Sequence, residues 1–395
     1  MNWKRRSRSS WGRLGMKSDC YALFDLAQWK NGLAFKKIDF SSDGEPVIKI
    51  AELKNGITGQ TQFTEGDYGD EVHLTKGDML FSWSGNPETS IDVFWYNLPD
   101  GWLNQHIFKV IPKPFVDRNF LYYLLKSLKA TFTAIASNKQ TTGLGHITLK
   151  DLKKLNIALP SEKEQKIIGR YLYTIDQKIS VNQAINDNLQ QQVATIFKAW
   201  FVDFVPFDET MPFNWTVSTL GDVTEMGAGG DKPKETSQVK TPLYPYPIYS
   251  NGINNYGLYG YTNEPKIKSE SVTVSARGTI GYVCLRHIPY VPIVRLVTLI
   301  PDTSVLSAKY LYLYLSQLHI TGTGTTQQQL TVPDFRKTEI IIPDKATMDF
   351  FTETVTPLFE QIWVNEDENN KLAEVRDALL PKLMSGEIDV SNIQV

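Results

Sequence analysis

The 395-residue chain is poor in the residues that usually carry catalysis. Its two cysteines, Cys20 and Cys284, lie far apart without metal-ligand spacing, which indicates neither a disulfide framework nor a zinc site and fits a reducing, cytoplasmic setting. Five histidines, His73, His106, His146, His287 and His319, have no second His or Cys at i+2 to i+5, so each reads as structural or surface. There is no run of 18 apolar residues; the best candidate, Tyr290 to Pro301, contains Arg295 and two prolines, so no membrane span is expected. A phosphate-cradling loop ending in Lys-Ser/Thr is missing, and Gly322-Thr323-Gly324 lacks the third glycine of a dinucleotide fingerprint. Pro301-Asp302 and Pro343-Asp344 are followed by no acidic-x-Lys strand, and the Asn-Pro-Pro-aromatic mark of an amino-methyltransferase is absent. The chain is expected to catalyse nothing itself and to bind no metal or cofactor of its own.

A net charge of −2 argues against a uniformly basic nucleic-acid binder, but the charge is unevenly placed. Asp344 to Val395 holds eleven acidic and four basic residues, a net of −7. Asn214 to Pro343 holds eleven basic and nine acidic, a net of +2, which leaves room for a basic groove. Residues 1–17 carry Lys4, Arg5, Arg6, Arg8, Arg13 and Lys17 among serines, without the apolar segment of a signal peptide, and read as a disordered extension.

What the chain does contain is a long internal repeat. Pro160 to Trp200 superimposes on Pro343 to Leu383 at an offset of 183 without a gap, and Thr148 and Asp151 extend the match to Thr331 and Asp334. In the first copy Ile168, Leu172, Ile175, Ile179, Asn182, Asn186, Leu189, Val193, Ile196 and Trp200 step by four and three residues. In the second, Phe351, Val355, Leu358, Ile362, Asn365, Asn369, Leu372, Arg376, Leu379 and Leu383 do the same. A seam repeating every 3.5 residues predicts a coiled coil, here two helices of roughly 35 residues and about 50 Å. If they run antiparallel, Asn182 faces Asn369 and Asn186 faces Asn365, and these amides fix the register because any slip strands them among leucines.

Before each helix lies a β-rich globule. Strands are expected at Val47 to Ala51, Met79 to Trp83, Ile91 to Tyr96 and Ile107 to Ile111, with a helix from Phe120 to Ala130 capped by Asp117. The second globule repeats the order, with strands at Ser271 to Ser275, Tyr282 to Leu285 and Ile293 to Ile300 and a helix from Ala308 to Leu318. Here the offset is 190 or more, so the globules diverge while the helices keep one length. A ruler carrying two exchangeable reading heads shows this pattern.

Two loop sets suit nucleic acid. Ser82, Trp83, Ser84 and Asn86 in the first globule match Ser275, Arg277 and Thr279 in the second, each just past a strand where donors can reach base edges. Lys139, Gln140, Thr141 and Thr142 precede the first long helix, and Thr325, Thr326, Gln327 and Gln328 the second; their amides and hydroxyls suit phosphate positioning and adenine reading. Lys36, Lys37, Lys232, Lys234, Lys266 and Lys268 are candidate phosphate contacts. A scaffold whose globules bind proteins is the alternative reading.

Several phrases resemble the specificity subunit of type I restriction–modification systems. They are Ile196 to Phe204, Arg376 to Ile388, Leu159-Pro160-x3-Glu164-Gln165-x-Ile167, Ile175-Asp176-x-Lys178-Ile179-x2-Asn182, Ser275 to Gly281 and Leu103 to His106. Trp83-Ser84 departs from the family, which often has Arg before the loop glycine. The resemblance implies an α+β protein with two α/β target-recognition domains, two long antiparallel coiled-coil helices and a pseudo-two-fold repeat. The expected division is 1–19 extension, 20–159 first recognition domain, 160–204 first spacer helix, 205–342 second recognition domain, and 343–395 second spacer helix and tail. It further implies that each domain reads half of a split site on double-stranded DNA in a bacterial or archaeal cytoplasm. The helices would dock two methyltransferase subunits that use S-adenosylmethionine, and two restriction–translocase subunits would supply ATP- and Mg²⁺-dependent cleavage.

Overall fold

The computed structural model describes residues 19–139, 143–322 and 329–393. Gln140, Thr141, Thr142, Thr325, Thr326, Gln327 and Gln328, together with the basic segment up to Ser18, lie outside the described residues. The chain forms two compact units, one running up to Val181 and resuming at Glu368, the other Asn182 to Asp367. Each unit therefore holds one globular region and part of each long helix.

Those helices are Glu162–Phe201 and Lys345–Ser385, 40 and 41 residues long. Every seam residue named above is buried or half-buried, which is what a 3.5-residue stripe achieves against a partner helix. Within the first unit Asp176 pairs with Arg376 at 2.7 Å and Lys178 with Glu368 at 3.1 Å, so position rises along one helix as it falls along the other. The second unit shows the same sense. Asn365 Nδ2 donates to Asn186 Oδ1 at 2.8 Å, Asn186 Nδ2 donates to the Ile362 carbonyl at 3.1 Å, and Phe197 packs on Phe351. The helices are antiparallel in both units. Asn182 is also buried, and Asn369 half-buried.

The two globular regions share a topology. In the first, an antiparallel sheet runs in the order Ala27–Asn31, Ile107–Pro112, Met79–Ser82, Asp92–Trp95. In the second the order is Thr224–Ala228, Val297–Pro301, Ser271–Val274, Val283–Arg286. A second sheet in each contains a parallel pair, Val47 and Ile48 beside Trp102 and Leu103, and Ile248 and Tyr249 beside Val291 and Pro292. A third closes each region by pairing its start with its end: Asp19–Ala22 with Asn156–Leu159, and Thr216–Thr219 with Glu339–Ile342. The helix Arg118–Ser127, begun by Asp117 accepting from Phe120 N–H at 2.9 Å, corresponds to Ala308–Gln317, capped by Ser307.

Three local expectations change. The stretch Val47 to Ala51 is a strand only through Ile48, because Glu52 accepts from Lys49 N–H at 3.0 Å and starts the helix Ile50–Asn55. The helix expected from Phe120 to Ala130 ends at Ser127, and a second begins at Lys129. The stretch Ile293 to Ile300 is not one strand; Ile293 to Leu296 makes a tight turn before the strand Val297–Pro301.

Each unit has its own core. In the first, Phe81, Phe120, Phe132, Ile168, Leu172 and Leu383 join sheet, helix and both long helices. In the second, Phe197, Phe201, Tyr310 and Phe351 do so, with Phe201 and Phe351 edge to face at 4.8 Å. Burial of these apolar faces explains why each globule keeps its orientation on its own stretch of helix.

Candidate nucleic-acid interface

The first loop set meets the segments that follow the second, residues 145–147 and 329–330, and in the same way in both units. In the first, Ser84–Gly85 pairs with Gly145–His146, and Ile147 N–H donates to the Trp83 carbonyl at 2.8 Å. In the second, Leu330 N–H donates to the Ala276 carbonyl at 3.1 Å, and Arg277 Nη2 donates to Gln329 Oε1 at 3.1 Å. Residues 147 and 330 stand at the repeat offset of 183, so one backbone bond has been built twice.

Two more segments join this face. Gln105 N–H donates to the Leu33 carbonyl at 2.8 Å, and Val294 N–H to the Gly230 carbonyl at 2.9 Å. Likewise Gly32 N–H donates to Ile107 O at 3.2 Å, and Gly229 N–H to Leu296 O at 2.8 Å. The glycines are required at these points: a Cβ on Gly32 would lie 2.3 Å from the Asn104 carbonyl oxygen, and one on Gly229 2.7 Å from Ile293 N. These close approaches lead directly into the exposed Lys36 and Lys37 in one unit and Lys232 and Lys234 in the other. The Lys232 ammonium lies over the Tyr259 ring at 5.7 Å. Lys266 and Lys268 are exposed but sit on a separate segment, held where Lys266 and Ile267 N–H donate to the Tyr290 carbonyl.

Individual side chains divide by exposure. Arg277 and Thr279 are exposed. Ser82 and Ser275, grouped by sequence with the loops, are both buried: Ser82 ends the strand Met79–Ser82 and is 0% exposed, and Ser275 follows Ser271–Val274 with its N–H on the Tyr282 carbonyl. Trp83 is a half-buried platform, stacked on Phe108 at 5.7 Å, edge-on to His106 at 5.5 Å, with Nε1 donating to Asn31 Oδ1 at 3.0 Å. Ser84 is half-buried in its short strand. Exposed Asn86 uses its side-chain oxygen to accept from Glu88 and Thr89 N–H, a local turn device. Lys139 is committed to Asp151. Burial raises the Asp151 carboxyl, but hydrogen bonds from Lys139 and Thr148 outweigh it and hold the group below the usual carboxylate range.

Composition alone missed Asn251. Its Nδ2 donates to the Val294 carbonyl at 2.6 Å while its Oδ1 accepts from Ala276 N–H at 2.7 Å, which braces the Arg277 loop against the 293–296 turn. Arg295 was noticed only as a charge interrupting an apolar run, yet it is exposed on this face.

The second unit also contains a cavity of about 440 Å³ where the globule meets its helices. Its charged and imidazole groups are already engaged. Arg286 Nε donates to Thr273, Nη2 to the Tyr256 carbonyl, and its guanidinium covers the Tyr249 ring at 3.7 Å. Glu366 accepts from Tyr256 Oη at 3.0 Å; burial raises its pKa, and that hydrogen bond only partly opposes the rise. His287 stacks on Trp363 at 4.0 Å, and burial lowers its pKa. Among the described residues no group of His, Cys, Asp or Glu could hold a metal ion, and no helix is long and apolar enough to cross a membrane.

The chain matches the family model for the type I restriction modification DNA specificity domain twice, over residues 17–191 and 212–374. It is 26% identical over an alignment of 424 residues to the type I restriction enzyme MjaIX specificity subunit of Methanocaldococcus jannaschii, covering 90% of this chain and 96% of that one. It is also 26% identical over 403 residues to the HindI specificity subunit of Haemophilus influenzae, covering 80% and 87%. Its fold is similar to the crystal structure of a type I restriction-modification S subunit from M. genitalium, with a TM-score of 0.63, 18% identity and coverage of 93% and 96%. Two matches of the family model, which together span most of the chain, establish that it belongs to the type I restriction–modification DNA specificity family.

Proposed function

We propose that this chain is the address-reading subunit of a type I restriction–modification complex and performs no bond chemistry of its own. The observation that carries the proposal is the loop face built twice, by equivalent backbone hydrogen bonds, from segments that keep a Ser-x-x-Gly frame but differ within it, Trp83-Ser84 against Ala276-Arg277. A common frame with different side chains is what two readers of two different half-sites need. Lysines on the Gly-led loops take phosphates and position the duplex, while Arg277 and its neighbours meet base edges and specify sequence.

In this reading the long helices serve two ends. Their length determines the number of unread base pairs between the half-sites, and their outer surface docks two methyltransferase subunits, which supply S-adenosylmethionine and methylate adenine. Exposed Tyr171, Val181, Ile185, Phe350, Val364 and Val375 on the helices, with the acidic balance of the second, support a protein partner there. Two restriction–translocase subunits would complete the complex with ATP and Mg²⁺.

Arg277 provides the test. Its exposed guanidinium is held on the loop by Gln329, which limits the freedom lost on binding. Arg277→Ala is expected to relax one position of one half-site by about 1–3 kcal/mol, leaving the other half-site intact. Methylome sequencing of cells producing the variant with its methyltransferase partner measures this. Uniform weakening at every position would instead make Arg277 a phosphate or structural residue.

A further inference from the structure

The turn between the parallel pair and the central sheet is built in an unfavourable backbone. Leu296 N–H donates to the Ile293 carbonyl at 3.1 Å, and both central residues lie in the left-handed region, Val294 at φ 53° and Arg295 at φ 61°. Positive φ at both centres defines a type I′ turn, whose natural occupants are Asn and Gly. A β-branched residue is the worst choice there, since its side chain crowds the carbonyl. The turn is nonetheless over-determined: Val294 and Arg295 N–H donate to Gly230 and Gly229, and Asn251 clamps the Val294 carbonyl. Strain maintained by this much support, with both side chains exposed on the candidate face, indicates that the side chains are retained for what they reach.

The first unit closes a turn at the corresponding place, but in ordinary backbone, since neither Gln105 nor His106 has a positive φ. Ile107 N–H donates to the Asn104 carbonyl at 3.2 Å, and Gln105-His106 occupies the positions of Val294-Arg295. His106 is exposed, lies edge-on to Trp83, and its Nε2 is 3.4 Å from Gln105 Nε2.

We propose that the central pair of the strained turn, Val294-Arg295, and the pair at the corresponding place in the first unit, Gln105-His106, read base edges within the half-site that each unit contacts. Arg295 presents two parallel donors and takes a guanine through O6 and N7; Gln105 presents the donor–acceptor pair that suits adenine. Asn251 is a positioning residue that couples the Arg295 turn to the Arg277 loop. The inference rests on the DNA-reading function proposed above.

The test is methylome sequencing of cells producing the full chain with its methyltransferase partner. Arg295→Ala should cost roughly 5- to 150-fold in preference for one guanine of one half-site, with the other half-site unchanged. Gln105→Ala should relax a position in the opposite half-site. The double variant Val294→Asn, Arg295→Gly restores favoured turn residues, so its melting temperature should rise while the same guanine preference disappears. An unchanged motif in these variants, an even weakening of all positions, or a lower melting temperature in the double variant overturns the inference. If the wild-type complex marks no two-part motif, the DNA-reading function fails instead, independently of the turn.

Discussion

Lengthening both long helices by four residues moves methylation to sites with the same half-sites and a longer spacer. The insertions belong between Val181 and Asn182 and between Asp367 and Glu368, where the chain passes from one compact unit to the other. Placed there, they leave Asp176 with Arg376 in the first unit and Asn186 with Asn365 in the second. Four residues add about 6 Å at 1.5 Å per residue, close to one helical turn and to about two base pairs at 3.4 Å each. Methylome sequencing should show the original motif abandoned and a motif of altered spacing in its place. Altered half-sites with an unchanged spacer would defeat the idea that the helices act as a ruler. An insertion in one helix alone is a different experiment: it slides Asn186 off Asn365 and leaves buried amides unpaired, so the chain should lose stability.

The largest expected loss of stability lies in the aromatic cluster of the second unit. Phe351 is 0% exposed and its ring touches Phe201, Trp200 and Phe197 from the first long helix and Tyr310 from the globule. Phe351→Ala removes a knob shared by three elements that cannot all move inward, so it should cost roughly 3–5 kcal/mol. The adjacent Phe350 is 61% exposed and only stacks on Trp200 at 5.5 Å. Phe350→Ala should therefore cost about 1 kcal/mol or less. Urea unfolding of the full chain, followed by tryptophan fluorescence, separates the two, since Trp200, Trp215 and Trp363 all pack in that core. Equal costs would mean that the helices are not anchored to the globule through Phe351.

The repeat explains why so much of this fold could be read in advance. An uninterrupted offset of 183 aligns two seams, and a seam stepping by four and three residues has only one cheap burial, against another helix. Asp117 at the head of its helix, and the order strand, strand, strand, helix in each globule, were likewise local and visible. What escaped was long-range. Nothing near Asn251 in sequence announces that its amide will bridge Val294 and Ala276, residues 43 and 25 positions away. The 293–296 turn was hidden because its central residues are Val and Arg, where a tight turn advertises itself by Asn or Gly. Ser82 and Ser275 were grouped with exposed loops because the strand end and the loop are continuous in sequence; only burial separates them. The bond from residues 147 and 330 to the first loop set was also beyond sequence, because it depends on insertions that shift one offset from 183 to about 193 while the backbone bond is kept.

In the proposed function two unlike faces, carried on one pair of helices, address two unlike half-sites. Single-molecule methylome sequencing of a host given this chain and its methyltransferase subunit tests it most directly. Adenine methylation is expected to be confined to one asymmetric motif, with two different specified blocks separated by a constant number of unspecified base pairs. A single continuous motif, or two blocks at variable separation, would contradict it.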